Sequence, residues 1–298
     1  MRIDSLSSAT SRSKQIKAFG ARPAAAPFSR AAKSGMVRAM DNQAFFDRDG
    51  AGFVANPVSR GPWDAKSLHG RVVIGLLAFA IEERHGDLAY TPARLTVDMY
   101  RLPDFSPITV ETRLVRDGHR IKVADAELFS GGISVARATC QLLRRTENPP
   151  GRVWSPPDWD APRPQDIPPP DDRRTGLGGM WAMRPITGAM GVIGPRRTWM
   201  AEVREMVAGA PLTPFARAAL AADFASPFAN AGEAGLAYIN TDVTLYLHRA
   251  PREAWIGLEV VNHQATDGVA IGECWLYDAD GPIGSAAVCA LAQRRAMV

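Results

Sequence analysis

The sequence predicts an α+β protein made of two similar halves, each with one long buried helix followed by an antiparallel meander of strands. Three observations support this prediction. A proline-rich break divides the chain near its middle, a strand-like pattern recurs at a fixed spacing on both sides of the break, and a helical stretch precedes the strands in each half. Packing a helix against a sheet buries the apolar faces of both elements.

The composition is that of a globular protein. The chain has 298 residues, of which 46% are hydrophobic and 22% charged, so it can bury one or two cores. Its longest apolar run, Val72 to Ile81, has ten residues, about half of what a membrane-spanning helix needs. The three cysteines follow no C-x-x-C spacing, which argues against a zinc site and a secreted disulfide framework. A reducing compartment, the cytoplasm, is therefore the expected location.

The N-terminal segment differs from the rest of the chain. Residues 1–39 carry eight basic side chains and one acidic side chain, Asp4, a charge of +7, whereas the whole chain carries +4 and the remainder therefore −3. Because the basic excess belongs to this segment, we expect no nucleic-acid partner. The segment cannot bury enough apolar surface to fold alone. Its composition also fits an organelle transit peptide, but we interpret residues 1–40 as a disordered or non-native leader, with Met36 or Met40 near the working start.

A second break lies between Thr146 and Thr175, where nine of the 23 prolines fall. Proline fixes φ and removes a backbone donor, so this segment is predicted to be an extended connector. The sequence therefore predicts an N-terminal domain over residues 41–145, a linker over 146–175 and a C-terminal domain over 176–298.

The two predicted domains share a strand pattern. The stretches Leu95 to Pro103 and Val243 to Pro251 both alternate with period two and end in Arg-x-Pro, at an offset of 148 residues. Three further strand-like stretches follow in each half, with a turn signal before the last, Ser130-Gly131-Gly132 or Asp278-Ala-Asp280-Gly281. The shared spacing indicates an internal duplication.

A helix is predicted before each run of strands. In the first half, Leu68 to Arg84 is apolar almost all round, as buried helices are, and Gly86 is a stop signal. In the second half, Thr213 and Pro214 supply an N-cap and a first-turn proline for a helix that runs towards Phe224.

A helix wrapped by a sheet, in two tandem copies, resembles the double hotdog fold of acyl-CoA thioesterase II and the related thioesterase-like superfamily. The resemblance covers about residues 44–296, and the order of its motifs is its specific part. The matching motifs are Gly61-Pro-Trp63 to His69-Gly70, Val110-Glu111-Thr112, Arg116-Asp117-Gly118, Asp223-Phe224, Asn240-Thr241-Asp242, His248-Arg249 and Trp255.

The resemblance implies a hydrolase of acyl-CoA, active in fatty acid metabolism, that needs no cofactor and no metal. In that family an Asp, a Thr and a Gln together position the attacking water. Carried over, the Asp is Asp223, the Thr position is Asn240, and the Gln position is Cys289, or Val288 if the turn is one residue shorter. An Asn amide can still bind water, but Cys289 removes one hydrogen-bond partner of that water. The resemblance leaves both a monomer and a homo-oligomer open.

The start of the first helix is the predicted oxyanion and substrate-binding region. Helix N-termini offer unpaired N–H groups and partial positive charge, so the N–H groups around Gly70 and Arg71, next to His69, are candidates to receive the thioester carbonyl oxygen. Each candidate also has a structural interpretation. His69 is interpreted as a capping residue, Gly70 as a close-packing residue and Asn240 as a turn former, while Asp223 is a candidate cap or ion-pair partner.

Two other functions stay open on the same fold. A hydratase or dehydratase of acyl thioesters would pair His69 with Asp223, and a non-catalytic binder of acyl-CoA or acyl chains would explain the missing Gln. Other enzyme classes lack a signature, since the sequence has no G-x-S-x-G, no P-loop and no H-E-x-x-H motif.

Overall fold

One antiparallel sheet of 14 strands runs through the computed structural model, which describes residues 43–170 and 181–297. The predicted leader lies outside these residues. The strands follow the order β1-β2-β4-β5-β6-β3-β11-β14-β13-β12-β8-β7, and β10 pairs with β14 and with β9. Their bounds are β1 Phe46–Asp49, β2 Gly52–Ala55, β3 Tyr90–Met99, β4 Ile108–Asp117, β5 Ile121–Ser130, β6 Ile133–Arg144, β7 Ala182–Thr187, β8 Arg197–Ala201, β9 Ala231–Gly232, β10 Gly235–Asn240, β11 Asp242–Leu247, β12 Ile256–Thr266, β13 Val269–Asp278 and β14 Gly281–Met297.

The first helix, α1 (Gly70–His85), forms where the apolar run predicts it, and Gly86 is its C-cap. Every residue from Arg71 to Ile81 is buried, because the helix packs on the sheet and on the helix of the second half. A Cβ at Gly75 would lie 2.8 Å from Leu220 Cδ2, so glycine permits the close approach of the two helices. None of the helices in residues 43–170 and 181–297 has both the length and the apolar character needed to cross a membrane.

The second helical stretch is broken, which the sequence interpretation missed. It consists of α2 (Pro214–Ala222) and α3 (Ala225–Asn230), with Asp223 and Phe224 between them. Pro227 has no N–H to donate to the Asp223 carbonyl, and the Ser226 N–H donates to it instead at 3.1 Å. The resulting tight turn holds Asp223 at the junction of two short helices.

The pairing of β3 with β11 joins the strands of the two halves. Thr96 and Thr244 are register partners, and their Oγ1 atoms lie 3.3 Å apart. Because the repeat offset of 148 residues maps Thr96 onto Thr244, the register is that of two copies of one strand paired about a local two-fold axis. The two strands that share the repeated sequence pattern therefore pair with each other at the centre of the sheet.

Residues 146–170 contain one 3-10 turn, Pro164–Asp166, and residues 159–162 contact the second half. Trp159 stacks on Tyr277 with ring centroids 4.2 Å apart, and the Arg197 guanidinium lies 5.0 Å from the Trp159 ring. This part of the predicted linker therefore contacts the sheet around Trp159.

The N-terminus of α2 meets the last turns of α1. The Thr213 hydroxyl caps α2 by accepting from the Ala216 N–H at 3.1 Å, and it donates to Glu82. Burial raises the pKa of Glu82, and the bond from Thr213 opposes that rise. The folded state consequently holds a proton on Glu82 more readily than the unfolded chain does.

Glu82→Gln is expected to stabilise the protein more at about pH 8 than at about pH 5. The stability that a carboxyl with a raised pKa contributes is fully present below the unfolded pKa and is lost as the pH rises through the folded pKa, whereas Gln has no such loss. Urea unfolding of both proteins at the two pH values measures the effect. Glu83→Gln, at the exposed neighbouring position, is the control, and an equal pH-dependent gain there would contradict the assignment to Glu82.

Candidate active site

A cavity of about 1330 Å³ lies where the start of α1 meets the turn between α2 and α3. The structure brings five of the six predicted site residues to its wall. They are His69, Gly70, Asp223, Asn240 and Cys289. The sixth, Arg71, is 1% exposed and lies behind the wall.

The first turn of α1 presents one N–H group that has no hydrogen-bond partner among the described residues. His69 is the N-cap, and its Nδ1 accepts from the Arg71 N–H at 3.2 Å. The Gly70 N–H makes no hydrogen bond to another group in the described part of the chain. Of the two predicted oxyanion donors, Arg71 is therefore engaged by its own cap and Gly70 is not.

Asp223 is 4% exposed and faces this turn. Its carboxylate is close enough to Gly70 that a Cβ there would lie 3.2 Å from Oδ1. The Asn240 Nδ2 donates to Oδ1 at 3.1 Å and to the backbone oxygen of Asp242 at 3.3 Å. His69 Nδ1 lies 3.5 Å from Oδ2, and the shorter bond from the Arg71 N–H uses the same Nδ1 atom as its acceptor.

Cys289 is bonded to the carboxylate of Asp242, not to that of Asp223. Its N–H donates to Asp242 Oδ1 at 2.5 Å, and its carbonyl accepts from the Thr241 N–H at 2.9 Å. Burial raises the pKa of the Cys289 thiol, and the adjacent Asp242 raises it further. Val288, the alternative at this position, is buried in the core and does not line the cavity.

Asp242 and its strand partner Asp98 line the same cavity. Burial raises the pKa of Asp242, and the charge of Asp98 adds to the rise. Asp98 is paired with Arg137 at 2.8 Å, whereas Asp242 forms no ion pair with any of the side chains that the structure describes. The sequence analysis gave Asp242 no role in the site, since only the register of β3 against β11 puts the two carboxyls together.

Arg71 is buried beneath the cavity wall and contacts Trp181, one of the residues that line the cavity. Its Nη1 donates to Glu202 Oε2 at 2.7 Å, and its guanidinium lies 4.1 Å from the ring centroid of Trp181 and 4.9 Å from that of Phe45. Burial lowers the pKa of Arg71 to about 10, against the opposing effect of Glu202, so the side chain stays cationic at neutral pH. Glu202 and Trp181 were missed by the sequence interpretation, since neither belongs to a recognisable motif.

The Trp181 side chain forms part of the cavity wall. It is 6% exposed, and its ring contacts His69 and Phe224 edge-on, with centroids 6.0 Å and 5.1 Å away. These two neighbours adjoin Gly70 and Asp223 in the chain, so the indole packs between the two sides of the site.

Two family models match the chain. The model of the acyl-CoA thioesterase N-terminal domain matches residues 59–143, and that of the acyl-CoA thioesterase C-terminal domain matches residues 157–287. Together they cover well over half of the chain. Comparison with the curated proteins finds no match.

Solved structures show the fold. A hot dog fold protein of unknown function from Alicyclobacillus acidocaldarius is 16% identical, with a TM-score of 0.67 over 88% of this chain and 100% of that one. The tesB protein of Mycobacterium avium subsp. paratuberculosis is 14% identical, with a TM-score of 0.62 over 83% and 95%. Acyl-CoA thioesterase II TesB2 from Mycobacterium marinum is 15% identical, with a TM-score of 0.59 over the same shares. The described part of the chain therefore has a hotdog fold.

Gly70→Ala is expected to lower kcat by about 10-fold or more while changing the free energy of unfolding by no more than about 1 kcal/mol. The added methyl would press on the Asp223 carboxylate, while the helical backbone accepts alanine. Steady-state kinetics and urea unfolding measure the two effects. Gly232→Ala is the control, because a Cβ there meets nothing within 4 Å, and unchanged kcat in Gly70→Ala would contradict the tight contact.

Proposed function

The chain belongs to the acyl-CoA thioesterase family of thioester hydrolases, and we propose that it hydrolyses an acyl-CoA with a water molecule held by Asp223. The observation that carries the proposal is the buried Asp223 carboxylate facing the first turn of α1 across one cavity. The proposal takes the chain as a double hotdog, with repeats over residues 41–145 and 176–298 joined by 146–175. The two-fold register of β3 and β11 supports this division.

The proposed reaction needs a base and an oxyanion site. Asp223 accepts a proton from the water as its oxygen attacks the thioester carbon, and the carbonyl electron pair moves onto the oxygen, which the Gly70 N–H stabilises. The tetrahedral intermediate then expels the CoA thiolate. That thiolate takes up the proton from Asp223, leaving the free acid and CoA.

Asn240 orients the base in this scheme. Both of its amide hydrogens are directed to protein oxygens, on Asp223 and on the backbone of Asp242. Its carbonyl oxygen remains available to accept a hydrogen bond from the water. Asn240 thus serves the role of the family's Thr by a contact to Asp223 as well as to the water.

Cys289 does not replace the family's Gln in this scheme. Its hydrogen-bond partners are Asp242 and Thr241, so the attacking water is held by Asp223 and Asn240. If two partners are too few to activate the water, the chain is a non-catalytic acyl-CoA binding protein, the alternative that the missing Gln favours.

A hydratase has one observation in its favour, the 3.5 Å approach of His69 Nδ1 to Asp223 Oδ2. The use of Nδ1 as the helix cap weighs against it, because a His–acid pair needs a proton between the two groups. Hydration of a 2-enoyl-CoA, followed by its absorbance, would identify that activity.

Asp223→Asn is expected to lower kcat by about 100- to 10,000-fold, because the amide keeps the shape of the carboxylate but cannot accept a proton. Release of free CoA thiol from acyl-CoAs of graded chain length is the measurement. Asp242→Asn, which alters another carboxylate of the same cavity, should retain kcat within about 10-fold of wild type. Full activity in Asp223→Asn would remove Asp223 from the mechanism, and a wild type that binds acyl-CoA without releasing thiol would favour the binding protein.

Alkylation with iodoacetamide is expected to label only Cys289, because Cys140 and Cys274 are buried. The raised pKa of Cys289 makes its labelling slow near neutral pH and faster in alkaline buffer, where the thiolate forms. A non-hydrolysable acyl-CoA thioether should protect the residue. Peptide mass spectrometry provides the readout, with Cys289→Ser as the control, and labelling without protection would place bound substrate away from Cys289.

A further inference from the structure

One side of the cavity wall follows α3 away from Asp223. It is formed by Phe224, Pro227 and Ala231. The helix rises about 1.5 Å per residue, so its six residues, Ala225–Asn230, span about 9 Å. An extended alkyl chain with C–C bonds of about 1.5 Å advances about 1.3 Å per carbon, so about seven carbons cover that length. A substrate whose reacting carbon lies beside Asp223 can therefore extend along α3 to the far end of the helix.

A loop, residues 188–195, lies at the far end of α3, where the guanidinium group of Arg196 holds it. Nη1 donates to the Phe228 carbonyl oxygen, in α3, at 2.6 Å, and Nη2 donates to the Val192 carbonyl oxygen, in the loop, at 3.1 Å. A Cβ on Gly191 would lie 4.0 Å from a backbone oxygen of β9, the strand that follows α3. The 188–195 loop is therefore held at the end of the wall that α3 forms.

Met190 is the side chain through which this loop contributes to the cavity wall. It lines the cavity together with the backbone of Gly191, and it is 36% exposed, so a ligand in the cavity can reach it. Methionine is unbranched and polarizable, and it adapts to apolar partners of different shape. The end of the α3 side thus presents an accessible apolar group that the proposed mechanism does not use.

The charges of the cavity wall favour the acyl chain, rather than CoA, along α3. Glu233, directly after β9, is exposed and lines the cavity, and its carboxylate repels the phosphates of CoA. Among the described residues that line the cavity, Arg101 is the only arginine or lysine, and it follows β3. Asp98, three residues before Arg101, is paired with Arg137. CoA is therefore favoured beside Arg101, which leaves the α3 side to the acyl chain.

We propose that the acyl chain lies along α3 and that Met190 is a specificity-determining residue, which contacts chains of more than about seven carbons. This inference rests on the proposed thioesterase function. Shorter chains end beside α3 before they reach the 188–195 loop, so Met190 affects the reaction of longer chains only. Because the contact involves a part of the substrate far from the reacting carbon, it acts on kcat/KM.

Met190→Trp tests the proposal, because a larger side chain at the end of the α3 side shortens the space for the acyl chain. The expected kcat/KM for dodecanoyl-CoA is lower by about 10-fold or more, whereas that for butyryl-CoA stays within about 3-fold of wild type. Leu102→Trp is the matched control. Leu102 is also an exposed apolar residue of the cavity wall, but it adjoins Arg101, so any change should be the same for both substrates. An equal effect of Met190→Trp on the two substrates, or none on either, would overturn the proposal.

A second measurement does not depend on turnover. In wild type labelled with [methyl-¹³C]methionine, the Met190 methyl resonance, assigned by its absence in Met190→Leu, should show a nuclear Overhauser effect to the chain end of a dodecyl-CoA thioether. It should show none with the butyl-CoA thioether. The same response to both thioethers would overturn the proposal. If the wild type releases no thiol, the proposed function fails, and the thioether titration still decides whether the acyl chain reaches Met190.

Discussion

The antiparallel pairing of β3 with β11 is the contact on which the rest of the structure depends. It joins the strands of the two halves into one sheet, and α1, α2 and α3 pack on it. The pairing also has a cost, because it sets Asp98 directly opposite Asp242, and like charges in that position repel. Arg137 offsets the charge of Asp98, so the unfavourable energy is concentrated on Asp242 in the cavity wall.

The second constraint is the buried pair of Arg71 and Glu202, whose side chains are both 2% exposed. A helix that is apolar nearly all round has no strong preference for one depth against a sheet, whereas a buried ion pair is satisfied in one position only. Glu202 also accepts from the N–H groups of Val203 and Arg204, so the pair ties the start of α1 to a backbone segment of the second half. Removing one partner of such a pair typically costs about 3–5 kcal/mol, since the other charge stays buried.

The sequence predicted features that depend on local spacing and missed those that depend on distant contacts. The position of α1, to within two residues at each end, followed from its apolar run and its stop signal, and the Thr213 cap and the repeated strand followed from a capping residue and from period-two alternation. The break at Asp223 had a local signal in Pro227, which was not used. By contrast, Arg71 and Glu202 are 131 residues apart, and Cys289 and Asp242 are 47 residues apart. Neither contact can be predicted from the pattern of neighbouring residues.

Each half of the chain has a helix start beside the other half's helix, and the two starts differ in the chemistry that an oxyanion site requires. At the start of α1, the cap is His69 and the first helical residue is Gly70, which has an N–H; at the start of α2, the cap is Thr213 and the first residue is Pro214, which has none. A carboxyl group from the opposite helical stretch faces each start, Asp223 at the first and Glu82 at the second. At the second start the Thr213 hydroxyl donates to that carboxyl, so the helix cap and the carboxyl are bonded to each other. The start of α2 therefore lacks the N–H group that the start of α1 offers, and for this reason the proposed hydrolysis is assigned to the cavity beside α1.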